Sequence, residues 1–301
     1  MTDGIQSRRI VGARIEAMTI LGGDYGLADG EYRATGTVDG DSIATHIEMT
    51  KVGGSGEIGD PQPLGHLPIG WQPRVEGNMG WLNSDIRIAT GPLAGDVSHF
   101  RDFSIEFGGG ARFWLSQAFS IAPTVMGIYG RTTNSYTAVS ALGLANLASA
   151  TQAGLVNWEV QTWTLRPAVN LQYLLTLKRT IITLSSDATF FHTESFKSSN
   201  ARLFVAGDSG SLANKIDVDI PLGIQIEGHE LRTGGYLSRT ELYGGLENGI
   251  QVDHLNEIHA RVVLDFLSQL WKAQWIGIGG SYLWGPGIEG WTVGADVNFR
   301  F

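Results

Sequence analysis

The last eleven residues, 291–301, alternate strictly between apolar and polar side chains. The apolar set comprises Trp291, Val293, Ala295, Val297, Phe299 and Phe301. A period of two is that of a β-strand whose two faces meet different surroundings. The same alternation recurs in residues 165–173, 182–191, 216–226 and 257–266, where charged side chains repeatedly lie opposite aliphatic ones. The chain is therefore predicted to consist mainly of amphipathic strands.

The length of these runs distinguishes between two kinds of β-protein. Strands of a β-sandwich are usually about 5 to 6 residues long, whereas transmembrane strands need about 9 to 11. A transmembrane barrel also carries an outer apolar band flanked by girdles of Trp and Tyr. Nine aromatic residues lie near predicted strand ends, namely Trp71, Trp81, Tyr129, Trp163, Tyr173, Trp275, Tyr282, Trp284 and Trp291. We therefore predict an all-β fold, a transmembrane antiparallel up-and-down β-barrel.

The spacing of the strands supports a barrel and predicts its size. Ten strands are predicted at 70–89, 102–115, 118–132, 155–176, 180–196, 214–227, 230–244, 256–268, 271–284 and 291–301. Their joins alternate between long ones (90–101, 133–154, 197–213, 245–255 and 285–290) and short ones (116–117, 177–179, 228–229 and 269–270). Outer-membrane barrels have short periplasmic turns and longer external loops, and every short join here falls on the periplasmic side.

Two further strands are predicted at residues 10–21 and 42–52, which gives about twelve, with ten or fourteen as alternatives. Residues 53–69 would then be an unusually long periplasmic connection, and residues 31–37 could hold an extra strand segment. The predicted organisation is an N-terminal leader of the mature chain at 1–9 and an outer-membrane barrel at 10–301.

Composition excludes several other classes. No segment approaches the roughly 20 consecutive apolar residues of a membrane helix. A net charge of −9 without a Lys/Arg-rich run argues against a nucleic-acid partner. The absence of Cys excludes disulfides, Cys zinc sites and thiol nucleophiles, and it fits export through the periplasm. Residues 1–7 lack the pattern of an export signal, so we expect a mature form with an added Met.

Short Gly- and aromatic-rich motifs point to a family. They are residues 70–82 (GWQPRVEGNMGWL), 163–173 (WTLRPAVNLQY) and 277–284 (GIGGSYLW), followed by Gly290-Trp291 and the terminal Phe301. The chain resembles the solitary outer-membrane autotransporter-type β-barrel domain from about residue 10 onward. The resemblance implies the outer membrane of a Gram-negative bacterium and an assembly signal at Phe301. Outer-membrane lipid, lipopolysaccharide and the outer-membrane assembly machinery are then the expected partners of a monomer.

Ordinary autotransporters carry a large N-terminal passenger and a helix that threads the pore. Only about nine residues precede the first predicted strand here. We therefore expect a barrel without a passenger, in a structural or surface-exposed role, and self-secretion is in doubt.

Charged residues on the polar faces are expected to meet inside the barrel. The predicted lumen network consists of Glu106, Arg112, Arg166, Asp217, Asp219, His259 and Arg261. Arg239 and Glu241 are also expected to face the lumen. Glu106 and Arg112 lie on one face of one strand, and Arg166 lies two strands away, so we expect an ion-paired plug region. A narrow passive pore is the alternative, since charged rings set selectivity where water fills a lumen.

A hydrolase site at the external barrel mouth is a third hypothesis. Candidate groups are Asp96, His99, Asp102, His192, Ser195, Asp253 and His254. Their spacing is not that of the omptin proteases, and His192 and Ser195 would point to opposite faces, unlike the pair in lipid-cleaving barrels. No metal-ligand spacing, phosphate loop or nucleophile elbow appears. We therefore expect no enzyme activity, no metal and no cofactor.

Overall fold

A computed structural model describes residues 3–21, 26–38, 41–64, 69–200, 203–265 and 273–299. The strands are β1 (Leu27–Val38), β2 (Asp41–Glu57), β3 (Gln62–Pro63), β4 (Gly70–Ile88), β5 (Val97–Trp114), β6 (Phe119–Thr137), β7 (Trp158–Leu177), β8 (Thr180–Ser198), β9 (Ala206–Ile226), β10 (His229–Gly244), β11 (His254–Asp265), β12 (Ala273–Gly285) and β13 (Ile288–Phe299). The helices are α1 (Asp3–Ile20), α2 (Ala141–Ala153) and α3 (Gly245–Ile250).

The strands close into a ring. Each strand from β4 to β13 pairs with the next in antiparallel fashion, β13 pairs with β1, β1 with β2, and β2 with β4. Among the described residues, the short β3 pairs only with the first residues of β4, and it lies outside the ring. Setting β3 aside, the 13 strands leave twelve in the wall. The predicted all-β, twelve-strand antiparallel barrel is confirmed, and in the part of the chain that the structure describes every wall strand pairs on both sides.

The predicted register is confirmed along the central strands. Ile216, Ile220, Leu237, Ile258 and Ile278 are among the most exposed large apolar side chains, and all face outward. Their sequence neighbours of opposite parity face the lumen. This is the arrangement of a barrel in lipid, where apolar side chains meet hydrocarbon and polar ones point inward.

Connection lengths distinguish two ends of the barrel. At the turn end, residues 115–118, 178–179 and 227–228 make tight turns, and residues 58–69, the long connection expected there, link β2 to β4. At the loop end, the connections 89–96, 138–157, 199–205 and 245–253 are longer, and two of them carry α2 and α3. By the rule for outer-membrane barrels, the loop end is external and the turn end periplasmic.

One predicted long join is wrong. Residues 285–290 were expected to form a loop, but β12 and β13 are joined by residues 286–287 alone. Gly287 has φ +72°, a conformation that glycine adopts without steric cost, so a two-residue hairpin turn is possible here.

The predicted first strand is also wrong. Residues 10–21 belong to α1 and the turn after it, and the first barrel strand is β1, which includes the possible extra segment at 31–37. Residues 12–18 are all buried, so the segment is enclosed on every side, and a strand with one lipid-facing side would not be. The predicted leader at 1–9 accordingly falls largely within α1, and the barrel wall begins at Leu27.

Candidate functional site

Helix α1 lies inside the loop half of the barrel. Arg14 reaches Asp102 and Ser84, which lie near the loop-end termini of β5 and β4. Met18 contacts Ser104, which lies deeper along β5. The chain therefore enters the lumen from the loop end and runs inward towards β1.

Both charged side chains in the buried part of α1 are bound by the wall. Arg14 donates to one carboxylate oxygen of Asp102 from Nε (2.9 Å) and Nη2 (2.6 Å), and to Ser84 Oγ (2.8 Å). Glu16 accepts hydrogen bonds from Thr193 (2.7 Å) and Ser209. Because a buried charge is costly unless paired and hydrogen-bonded, these contacts fix the depth and rotation of α1.

Apolar packing completes the closure of this half. Ile15 is fully buried, and Gly130 lies so close that a Cβ there would be 2.9 Å from Ile15 Cγ1. Helix α3 folds into the mouth beside α1, with Leu246 fully buried. Wall and loop residues in the same cluster are Tyr32, Met49, Leu82, Ile128, Phe191, Leu242, Val252, Leu255, Leu283 and Ile288. We call α1 and α3 together the plug.

The turn half of the lumen holds ion pairs instead. Arg166 lies between two carboxylates, with Nε 2.6 Å from Glu106 Oε1 and Nη2 2.8 Å from Glu76 Oε1. Asn78 Nδ2 donates a hydrogen bond to the other carboxylate oxygen of Glu106, Oε2 (3.2 Å). Arg166 and Glu106 are nearly enclosed, with side-chain exposures of 12% and 3%. One guanidinium thus links strands β4, β5 and β7 on one side of the lumen.

Arg112 belongs to a different group. Its Nε donates to Glu57 (3.0 Å), and its Nη1 donates to Ser120 (2.9 Å) and Gln172 (2.5 Å). The expected pairing of Arg112 with Glu106 does not occur, because six residues along a strand separate side chains by about 20 Å. Their position on the same face of β5 predicts that Glu106 and Arg112 both point inward. It does not predict that they contact each other.

The remaining predicted lumen residues form pairs on the β8–β11 side of the wall. Arg261 donates two hydrogen bonds of 2.7 Å to Asp217, and Arg232 Nε donates one of 2.9 Å to Asp219 Oδ1. His259 stacks on Tyr236 with ring centroids 4.5 Å apart. All seven predicted network residues thus face the lumen, in separate groups. Arg239 and Glu241, expected inside, face outward instead.

Comparison with known proteins gives the family. Residues 66–294 match the family model described as the solitary outer membrane autotransporter beta-barrel domain. The chain belongs to this family. The β domain of the Bordetella autotransporter BrkA has 13% identity and a TM-score of 0.53, and covers 92% of this chain and 100% of its own.

The transport unit of the autotransporter AIDA-I from Escherichia coli has 10% identity and a TM-score of 0.55, covering 97% of this chain and 99% of its own. No curated protein sequence matches at a significant level. The predicted resemblance is confirmed, and autotransporter barrels of this kind reside in the Gram-negative outer membrane. None of the described helices is long and apolar enough to span a bilayer.

The polar loop residues of this family member do not meet at one site. His99 faces outward and contacts Asp85 (2.7 Å), whereas Asp102 lies inside against Arg14. His192 faces outward beside Asp208 (2.7 Å), and Ser195 is buried on the inner face. His254 contacts Asp253 in another loop (2.7 Å). Within the described ranges, no group of three His, Asp or Glu side chains could hold a metal.

Asp96 anchors the longest external loop. Its carboxylate accepts hydrogen bonds from Tyr136 Oη (2.6 Å), from the backbone N–H of Val139 (2.6 Å) and from Ser140 N (2.7 Å) and Oγ (2.9 Å). Ser140 in turn caps α2 by accepting from Gly143 N–H. Burial alone would raise the pKa of Asp96, but these four hydrogen bonds outweigh it and lower the pKa to about 2.

Sequence reasoning missed Arg14 and Glu16. Two opposite charges in an otherwise apolar stretch were a detectable signal, since such charges need partners wherever the stretch is enclosed. Phe301, the predicted assembly signal, lies outside the described residues.

Proposed function

We propose that this protein is a structural outer-membrane barrel, closed by its own plug, that presents the N-terminal side of α1 at the cell surface. The supporting observation is α1 itself, buried in the loop half with both of its enclosed charges bound. A barrel whose lumen is filled by side chains has no continuous water path, so a narrow passive pore is the less favoured function.

Opening this barrel would require α1 to leave its position. Arg14 would then lose Asp102 and Ser84, and Glu16 would lose Thr193 and Ser209. Removing one partner of a buried charge pair typically costs about 3 to 5 kcal/mol. The closed state is therefore expected to dominate, although the turn half has partly exposed polar walls.

The direction of α1 supports surface presentation. Its N-terminal end lies at the loop end, which is the external one in outer-membrane barrels. The expectation of a barrel without a passenger rests on a first strand at residues 10–21, but that segment forms α1 and the turn after it. The proposed role requires no passenger, and polypeptide N-terminal to α1 would emerge outside.

Single-channel recording in planar bilayers tests the closure. The intact chain should show little or no current, whereas Arg14→Ala with Glu16→Ala should produce fluctuating openings because the helix loses its polar anchors. Leu142→Lys is the control, since Leu142 is exposed on α2 and no lumen contact changes. A steady open conductance of the intact chain would establish a pore instead.

The chain contains no cysteine, so single cysteines report which side is exposed. Leu142→Cys, exposed on α2 in the longest loop, should react with a membrane-impermeant maleimide on whole cells. Lys178→Cys, in a tight turn at the opposite end, should react only after the outer membrane is permeabilised. Reaction of Lys178→Cys alone on intact cells would reverse the proposed orientation.

A further inference from the structure

Polar side chains form a continuous row on the outside of the barrel. In the strand register, Ser186 lies directly opposite Asn214, Asn214 opposite Arg239, and Arg239 opposite Asn256. The row therefore crosses four adjacent strands, β8 to β11. All four residues have the outward parity of Ile216 and Leu237, and Asn214 and Arg239 are exposed.

This row interrupts the apolar band. Its outward neighbours include Leu184, Ile216, Leu237 and Ile258, all exposed. Polar groups that face hydrocarbon without a partner are costly, most of all near the middle of the bilayer. Among the described residues, the side chains of Ser186, Asn214 and Asn256 have no hydrogen-bond partner.

Arg239 is only partly satisfied by the protein. Its Nε donates to Glu241 (2.6 Å), and within the described part of the chain its two Nη groups have no protein partner. The hydrogen bond to Glu241 thus orients the Arg239 side chain through Nε and leaves both Nη groups of the guanidinium available. A guanidinium fork matches the oxygens of a phosphate in a bidentate manner.

The row runs along an external groove of about 680 Å³. Its apolar lining includes Tyr173, Leu184, Ile216, Leu237 and Trp284. The groove combines apolar walls with a few fixed polar groups, as ligand-binding sites do. The groove has the composition of a site for an amphipathic ligand.

The position of the polar groups along the barrel identifies the leaflet. Ser186 lies well inside β8, Arg239 lies nearer the loop end of β10, and Asn256 lies almost at the loop-end start of β11. The groove therefore runs from the external rim through the hydrocarbon band to Phe119 at the turn end of β6, and Arg239 and Asn256 lie in its external half. A ligand that follows it needs an anionic head at the rim and acyl chains below.

We propose that this groove binds one molecule of lipopolysaccharide, the phosphorylated lipid of the external leaflet. Arg239 and Asn256 bind a phosphate at the rim, and Asn214 donates to a polar group of the glycolipid below it. Acyl chains lie against Ile216 and Leu237. The inference is independent of the closure of the lumen.

Native mass spectrometry of the detergent-solubilised full chain tests this, with purified lipopolysaccharide and, separately, phosphatidylglycerol as probes. One retained lipopolysaccharide per chain is expected, with about tenfold weaker binding by Arg239→Gln. Asn214→Leu, which removes an amide from the groove floor, should also weaken it. Arg131→Gln is the matched control, because Arg131 is an outward arginine on β6, outside the groove, and its guanidinium is paired with Glu159 at 2.8 Å.

Each other result overturns the proposal. Equal retention by Arg239→Gln and Arg131→Gln would mean that lipid binds the surface without this groove. Equal retention of phosphatidylglycerol would mean that any anionic lipid suffices. A wild-type dimer that Arg239→Gln disrupts would make the groove a contact between copies of the chain. Heat-modifiable gel migration of each variant confirms that the barrel is folded in every sample.

Discussion

Replacing Arg166 by Gln should destabilise the barrel by about 3 to 5 kcal/mol, the usual cost of removing one member of a buried ion pair. Arg166 lies between Glu106 (2.6 Å) and Glu76 (2.8 Å), and the buried Lys51 acts on Glu106 as a second, weaker cation. At an effective dielectric constant near 20, each pair is worth about 4 kcal/mol before desolvation is subtracted. The variant loses both attractions and leaves two carboxylates facing each other, with Glu106 almost fully enclosed.

Unfolding in a urea titration with the chain in lipid vesicles measures the effect, and a second substitution isolates its cause. Arg166→Gln with Glu106→Gln removes the enclosed carboxylate as well, so part of the lost stability should return. A coupling energy of about 1 to 3 kcal/mol is expected for residues in direct contact. Arg131→Gln breaks an exposed pair with side-chain exposures of 50% and 34%, and should cost only about 0 to 1 kcal/mol.

Conductance separates a plugged barrel from a pore in the same variant. Because the plug closes the loop half independently of Arg166, the current of Arg166→Gln should stay as low as that of the wild type. Unchanged unfolding free energy together with a shifted reversal potential would refute this reasoning, since it would place Arg166 in a water-filled conduit.

Three further predictions concern the wall, the external loop and assembly. Ile220→Arg should cost roughly 2 to 4 kcal/mol in the vesicle titration because it puts a charge in the lipid band, whereas Asp219→Asn should cost less because its side chain is 28% exposed in the lumen; equal costs would show a wrong register. Asp96→Asn should speed amide exchange in residues 138–157. Because the pKa of Asp96 is lowered to about 2, its contribution to loop stability is complete above about pH 4 and is lost as the pH falls towards 2. A loss of protection, relative to the intrinsic exchange rate at each pH, that begins already near pH 6 would contradict the assigned role. Deleting Phe301 should hinder insertion in cells while leaving refolding into detergent nearly intact, and normal cellular insertion would remove its role as an assembly signal.

The barrel wall was predictable because one physical rule acts on every strand. A lipid-facing side chain must be apolar and its neighbour must face a polar lumen, so the period of two in β9 or β7 reveals register directly. The same rule placed all seven network residues inside. It failed for Arg239 and Glu241 because outward charges occur near the loop end, where strands approach the headgroup region.

The plug was not predictable by that rule. Residues 12–18 are enclosed by the barrel on all sides, so they carry no one-sided pattern, and apolar residues at 11, 13, 15 and 17 imitate strand alternation. Ala13, Arg14, Glu16, Ala17 and Met18 are all strong helix formers, and that propensity was the better guide. The partners of each lumen charge could not be predicted either, because side-chain contact inside the barrel depends on the tilt and stagger of strands that are far apart in the chain.

The anchors of α1 have a consequence for the order of folding. Arg14 binds a residue 88 positions away, and Glu16 binds residues 177 and 193 positions away. Such contacts form only after most of the chain has been brought together, and folding slows as native contacts become more distant in sequence. A helix cannot enter sideways through a continuous wall of hydrogen-bonded strands. We therefore expect the N-terminal segment to be captured while the ring is still open, so that the last strand pairing to form encloses it.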